Sequence, residues 1–333
     1  MSLIGRKLGF IYASIGNSLV SLLAAYSIMD QNFILFCFAN FFIGVGMAFT
    51  HQYRFAAAES VEESMIPKAI SIILLGGIVS AFIGPGLANY SKDIISEHLY
   101  VGSYLSLAIL TIIPAILFLF YENTSKLESN IKSSGRSIVE LISQPRFLQA
   151  LVASAFGYAI MTFLMTATPL SMHVMEKISL SKTGLVIQFH VVAMFLPSLI
   201  TGHLIKKFGH SNIMYAGVFL YSITIIASFF DQTYYNYMFA LIFLGLGWNF
   251  LFISGTSLLV LTYKEEEKYR AQGINDFIVY SVHAIGSLSA GVLIALTNWK
   301  MMNIICIPLM ILIIFTTLRA EILSKKQKKP RQI

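Results

Sequence analysis

The chain has 333 residues, of which 56% are hydrophobic and 12% charged, with a net charge of +7 and a mean hydropathy of +0.74. A soluble domain carries about 25% charged residues, so this composition excludes an ordinary water-soluble globule. It also excludes a protein with one membrane anchor, because apolar runs near the roughly 20 residues needed to cross a bilayer recur along the whole length.

In chain order the runs predict membrane helices over residues 8–28, 33–55, 69–89, 101–121, 147–170, 182–204, 211–230, 236–261, 272–296 and 301–318. The fold class expected is an all-α polytopic membrane protein of ten helices. The runs are continuous and do not alternate at period two, which argues against a β-barrel. "MSLIGRKLGF" leads straight into the first span, so no cleavable leader is expected. Ten spans place both termini on one side. Residues 1–7, 53–68, 121–146, 203–210, 263–272 and 319–333 hold 19 of the 23 Lys and Arg residues. Only Lys92, Lys177, Lys182 and Lys300 lie in the opposite loops. Positive charge concentrates on the cytoplasmic side, so both termini are expected there, in a cell (inner) membrane. The tail "KKQKKPRQI" reads as a basic tail facing the anionic lipid surface, not as a nucleic-acid site. Cys37 and Cys306 fall inside spans and behave as small apolar residues.

The stretch "FANFFIGVGMAFT", residues 38–50, returns as "FALIFLGLGWNFL" at 239–251, with Phe38/Phe239, Ala39/Ala240, Phe42/Phe243, Gly44/Gly245, Gly46/Gly247 and Phe49/Phe250 identical at one offset. So long a period marks a duplicated half-protein rather than a solenoid. The repeat reaches the loops, where "VEESMIPKA" (61–69) parallels "EEEKYRA" (265–271). Acidic residues there complement a helix dipole.

Duplicated halves joined by a basic loop resemble the major facilitator superfamily over essentially the whole length. "IGRK", residues 4–7, is similar to the end of the family's loop motif, and "GHLIKKFGH", residues 202–210, matches it at Gly202, Lys207 and Gly209. Ser2 and Lys206 stand where the family has Asp. "NFFIGVG", residues 40–46, is laid out like the fourth-helix motif with Asn40 in place of Arg. "GGIVSAFIGPGL", residues 76–87, is similar to the Gly-Pro motif of drug:proton antiporters. Its Gly76, Ser80, Gly84 and Ala88 form a small-residue stripe suited to close helix approach, and Pro85 can bend the helix. The resemblance implies an N-terminal half over 1–121 with four helices, a cytoplasmic linker over 122–146, a C-terminal half over 147–318 with six, and a basic tail over 319–333. It also implies a secondary transporter that moves a small organic molecule, by the export motif outward, through alternating access about a central site. The expected partners are that small molecule, protons and the lipid bilayer, with a monomeric protein and no cofactor, metal or nucleic acid.

Polar groups at membrane depth mark function because they are costly there. Asp276, Tyr280, His283 and Ser287 share one helix face at i, i+4, i+7 and i+11, and Asn40, Gly44, Met47 and His51 share another. The substrate cavity is therefore expected from Asn40, Met47, Gln188, His190, Trp248, Asn249, Tyr280 and His283, with aromatic walls and few polar anchors. No carboxylate stands at mid-span, so His190 and His283 are the candidate proton carriers. Met161, Met165, Met172 and Met175 fit a pliant lining or, more simply, core filling. A cytoplasmic gate is expected from Gly5, Arg6, Lys7, Arg54, Glu59, Glu62, Glu63, Lys68, Lys206, Lys207, Gly209, Glu266, Glu267, Arg270 and Asp276, some exchanging ion pairs between halves. No metal spacing, nucleophile elbow or phosphate loop supports an enzyme, and no filter loop supports a channel. Shifted by the repeat offset, the counterparts of residues 147–204 fall upstream of Met1. The resemblance thus implies that the family's first hairpin is missing, with an upstream extension of the reading frame expected. The alternative is a truncated, non-transporting fragment or receptor-like relic.

Overall fold

The computed structural model describes residues 4–122 and 135–328, with the side chains of residues 85, 89, 327 and 328 outside that description. Ser2, the linker lysines Lys126 and Lys132 and tail residues 329–333 lie outside the described residues, while α4 continues as one helix through Pro85, where a bend was expected. Every regular element described is helical: α1 Gly5–Met29, α2 Phe33–Thr50, α3 Tyr53–Glu59, α4 Ile66–Ser91, α5 Val101–Phe118, α6 Ile138–Ser143, α7 Pro145–Pro169, α8 Leu180–Phe195, α9 Ser198–Phe208, α10 His210–Ala227, α11 Tyr234–Val260, α12 Lys268–Leu296, α13 Trp299–Ile305 and α14 Ile307–Lys328. Among the described residues, ten helical segments are long and apolar enough to cross a membrane. They overlie the ten expected spans.

Three spans expected to be continuous are broken. Pro197 separates α8 from α9, and Pro308 follows the break between α13 and α14; proline removes a backbone donor and crowds the preceding turn. The break at His51–Gln52, between α2 and α3, has no proline to explain it. The repeat extends to the helix starts. Asn32 caps α2 by accepting from the Leu35 backbone N–H at 3.0 Å, and Thr233, 201 residues on, caps α11 by accepting from that of Asn236 at 3.3 Å. Short polar side chains at this position satisfy otherwise orphaned helix donors.

The chain forms two compact units, one of Met1–Ser60 with Val79–Lys132 and the other of Val61–Ile78 with Ser133–Ile333. In the first, α1 packs on α2 and α5. Its core is Phe10, fully buried, with the rings of Phe118 and Tyr53 at 4.7 and 4.8 Å. In the second, α7 and α11 are central: α11 packs on α7, α8 and α10, and α7 also carries α12 and α14. The division differs from the expected halves at residues 61–78. There the first turn of α4 lies so close to α9 that a Cβ on Gly202 would stand 2.8 Å from the Lys68 Cα.

Candidate functional site

The second unit contains an aromatic wall assembled from three helices. Tyr158 of α7 stands at its centre, with ring centroids at 4.6 Å from His283 and 6.0 Å from Tyr280, both of α12. On its other side lie Trp248 and Phe252 of α11, each 5.4 Å away and edge-on. Trp248 and Phe252 stack on each other at 5.0 Å and 12°, and Phe195 of α8 meets Trp248 edge-on at 5.6 Å. Edge-to-face and offset contacts at these distances are the favoured aromatic geometries. The spacing explains the convergence: Tyr280 and His283 lie three apart on α12, Trp248 and Phe252 four apart on α11, so each pair shares a face. Thr162, one turn beyond Tyr158, holds His283 Nδ1 at 2.8 Å through its hydroxyl. Tyr158, Tyr280 and His283 are half-buried, while Trp248 and Phe252 are each 2% exposed. The first three therefore form the accessible layer and the last two its backing.

The expected cavity residues divide accordingly. Tyr280 and His283 stand in the accessible layer, and Trp248 stands behind it. Asn249 is fully buried, donating to the Met194 carbonyl at 2.6 Å and to Ser198 Oγ at 2.8 Å, and accepting from Thr201 Oγ1 at 2.7 Å. It ties α8 and α9 together across the break at Pro197. His190 is fully buried and holds its Nδ1 2.7 Å from the Leu241 carbonyl of α11, an interhelical bond. Gln188 is half-buried on α8. In the first unit Asn40 turns to α5, accepting from the Tyr104 hydroxyl at 3.0 Å and donating to the Phe36 carbonyl at 2.9 Å. Met47 is 53% exposed. Met161 and Met172 are buried, as core filling requires, while Met165 is half-buried and Met175 exposed.

The expected gate residues form two local assemblies. In the first unit Arg6, beside the buried Gly5, makes a forked ion pair with Glu59: Nε to Oε2 at 2.8 Å and Nη2 to Oε1 at 2.5 Å. This geometry binds more tightly than a single contact. Arg54 is buried with its guanidinium 4.6 Å over the Phe55 ring, and Lys7 is half-buried. In the second unit Glu267 takes both forks of Arg136, at 2.8 and 2.6 Å, together with the Arg136 and Lys264 backbone N–H groups at 2.9 and 3.0 Å. Arg136 also donates to the Thr262 carbonyl and Gln144, and Arg270 donates to the Arg136 carbonyl at 2.7 Å. The hydrogen bond that Arg136 donates to Glu267 raises its guanidinium above its already high ordinary pKa. Glu267 and Arg270 thus bond to the end of the linker inside their own unit. Glu62, Glu63, Lys68, Lys206, Lys207 and Glu266 are exposed. Gly209, at φ 83°, turns the chain from α9 into α10. Asp276 is 9% exposed and accepts from Asn275 at 3.0 Å.

Tyr158, central to the aromatic wall, and Arg136, central to the second ion-pair assembly, are not among the site residues expected from the sequence. Tyr158 lies in a stretch read for its methionines, and its polarity is one hydroxyl in an apolar run. Its position four residues before Thr162, on the same helix face, is the available signal. Arg136 was counted only toward the basic linker.

The sequence matches the pattern of the Major Facilitator Superfamily over residues 1–187 and again over 151–332. It is 34% identical over 312 residues to the riboflavin transporter RfnT of Brucella anthropi, spanning 93% of this chain and 78% of that protein. It is 28% identical over 279 residues to the uncharacterized MFS-type transporter YddS of Bacillus subtilis, spanning 78% and 64%. Among solved structures, the human organic anion transporter MFSD10 aligns with a TM-score of 0.76 at 14% identity, over 95% of this chain and 78% of that one. The MFS transporter FucP in its outward conformation aligns with a TM-score of 0.68 at 15% identity, over 95% and 84%. Likenesses at such low identity speak for the fold alone.

Proposed function

This chain belongs to the Major Facilitator Superfamily, and from that premise we propose that it is a secondary active transporter of a flat heteroaromatic molecule of the riboflavin type, working by alternating access. The observation that carries this reading is the wall of Tyr158, Tyr280 and His283 backed by Trp248 and Phe252. A planar ring system gains most from stacking on such a surface. The riboflavin transporter among its relatives supports the same substrate class. The asymmetry of Lys and Arg supports a multi-pass protein of the cell membrane with both termini cytoplasmic, and we assign it as a monomer. The small-residue stripe over 76–87 supports export as its direction.

Riboflavin fluorescence gives the test. The purified chain should quench it saturably, and Tyr158→Ala or Tyr280→Ala should weaken binding by on the order of tenfold, the value of one aromatic contact of about 1.4 kcal/mol. Riboflavin counterflow in vesicles of either orientation then reads the direction. Absence of quenching by a monodisperse, folded preparation defeats the flavin assignment.

A further inference from the structure

In the first unit, α1, α2, α3 and α5 surround a small cavity of about 40 Å³ lined by Ser14, Asn17, Thr50, Tyr53 and Thr111, with Gly46 at its edge. Drug-sized ligand sites run to roughly 300–1,000 Å³, so this space excludes an organic substrate. It exceeds the roughly 10–15 Å³ that admits one water.

The lining is rich in oxygen. Thr111 spends its hydroxyl proton on the Leu107 and Ala108 carbonyls, at 2.9 and 3.2 Å. The Tyr53 hydroxyl lies within hydrogen-bonding reach of those of Ser14 and Thr50. Asn17 Oδ1 is buried with no hydrogen-bond partner, a costly state unless something else fills it. Its amide is seated against Gly46, where a Cβ would stand 2.3 Å from Oδ1. The absent side chain at 46 therefore makes room for the Asn17 amide.

Uncharged hydroxyl and amide oxygens are hard donors and suit a hard cation. Divalent ions prefer carboxylates, and none lines this cavity, so a monovalent ion fits. We propose that the cavity bounded by Asn17, Ser14, Thr50, Tyr53 and Thr111 binds a sodium ion, and that sodium acts as a coupling ion for the transporter. Protons, the coupling ion expected from the sequence, find weaker support. His190 holds the Leu241 carbonyl and His283 the Thr162 hydroxyl. The coupling role rests on the transport reading; the binding site does not.

The test uses the full chain in detergent and the ion alone. Thermal midpoints are compared in about 0.1 M sodium, potassium or N-methylglucamine chloride, which equalises screening. Sodium should raise the midpoint saturably by about 2–4 °C over the other two. Asn17→Ala should abolish the difference, as should Gly46→Ala, whose new Cβ displaces the amide. Asn17→Asp should retain it. Equal midpoints in the three salts for the folded wild-type chain would overturn the site and leave a water-filled cavity, and a shift with potassium in place of sodium would overturn the ion's identity. Because this readout contains no flavin, its failure is separable from failure of the substrate assignment. With sodium binding established, flavin transport that is unchanged when sodium is replaced by N-methylglucamine would remove the coupling role.

Discussion

The helices α2 and α11 carry the same thirteen-residue pattern and the same kind of N-cap, yet they are treated oppositely by their units. Ala39 is the one buried residue of α2, whereas seventeen residues of the 27-residue α11 are buried. A Cβ on Gly44 would meet nothing within 4 Å, while one on its counterpart Gly245 would lie 2.7 Å from the His190 carbonyl and 3.0 Å from the Met194 N of α8. Met47 is 53% exposed and its counterpart Trp248 2%. Local pattern thus fixes where a helix starts and which face carries small residues. Whether that face is used depends on the neighbours supplied elsewhere: α8 fills the notch at Gly245, and α7 brings Tyr158 to Trp248.

Substituting paired positions breaks or sharpens this contrast. Trp248→Ala should cost about 3–5 kcal/mol by removing a large buried ring, and Met47→Ala at most about 0.5; chemical denaturation of the two variants reads the difference. Asn249→Leu strands the Met194 carbonyl and removes the partner of the Ser198 hydroxyl, a loss of about 3 kcal/mol. Ala48→Leu, at the exposed counterpart, should leave the midpoint unchanged. Gly245→Val should cost about 2 kcal/mol because backbone atoms of α8 cannot yield to it, while Gly44→Val should be neutral. Equal effects within any pair would mean that the copies are packed alike. The smallest effect lies outside both copies, in α6, where the Ser137 backbone N–H holds the Glu140 carboxyl below its ordinary value of 4.5. A depressed carboxylate stabilises the folded state above that value and loses its effect as pH falls through the lower, folded one. Amide protection over 138–143 should therefore drop below pH 4.5 in wild type, and Glu140→Gln should remove that dependence.

Ten spans were legible because hydropathy and length report directly on the bilayer, and the family was legible because duplication leaves identities at a fixed offset. The breaks were less so. Pro197 could have been read as one, but the interruption at His51–Gln52 has no breaker residue. At the site, the spacing of Tyr280 and His283 put both on one face and the wall contains both. Asn249 and His190 turn to neighbouring helices, which could not be read from the chain for a common reason: a buried polar group serves a cavity or a neighbouring helix, and sequence does not show which. Their partners are backbone carbonyls of Met194 and Leu241, and every residue offers such a carbonyl. The oxygen-lined cavity around Asn17 was invisible for the same reason, since it arises from four helices meeting.

The clasp between Arg136 and Glu267 sets an order on biosynthesis. The arginine leaves the ribosome 131 residues before its carboxylate, after which α7 to α11 must enter the bilayer before the two can meet. Closure over so long a span comes late, since chain entropy disfavours it until other contacts hold the ends near. The clasp therefore reports completed insertion: a chain arrested before residue 267 exposes its linker end, and a protease acting beside Arg136 should distinguish the nascent second half from the finished one.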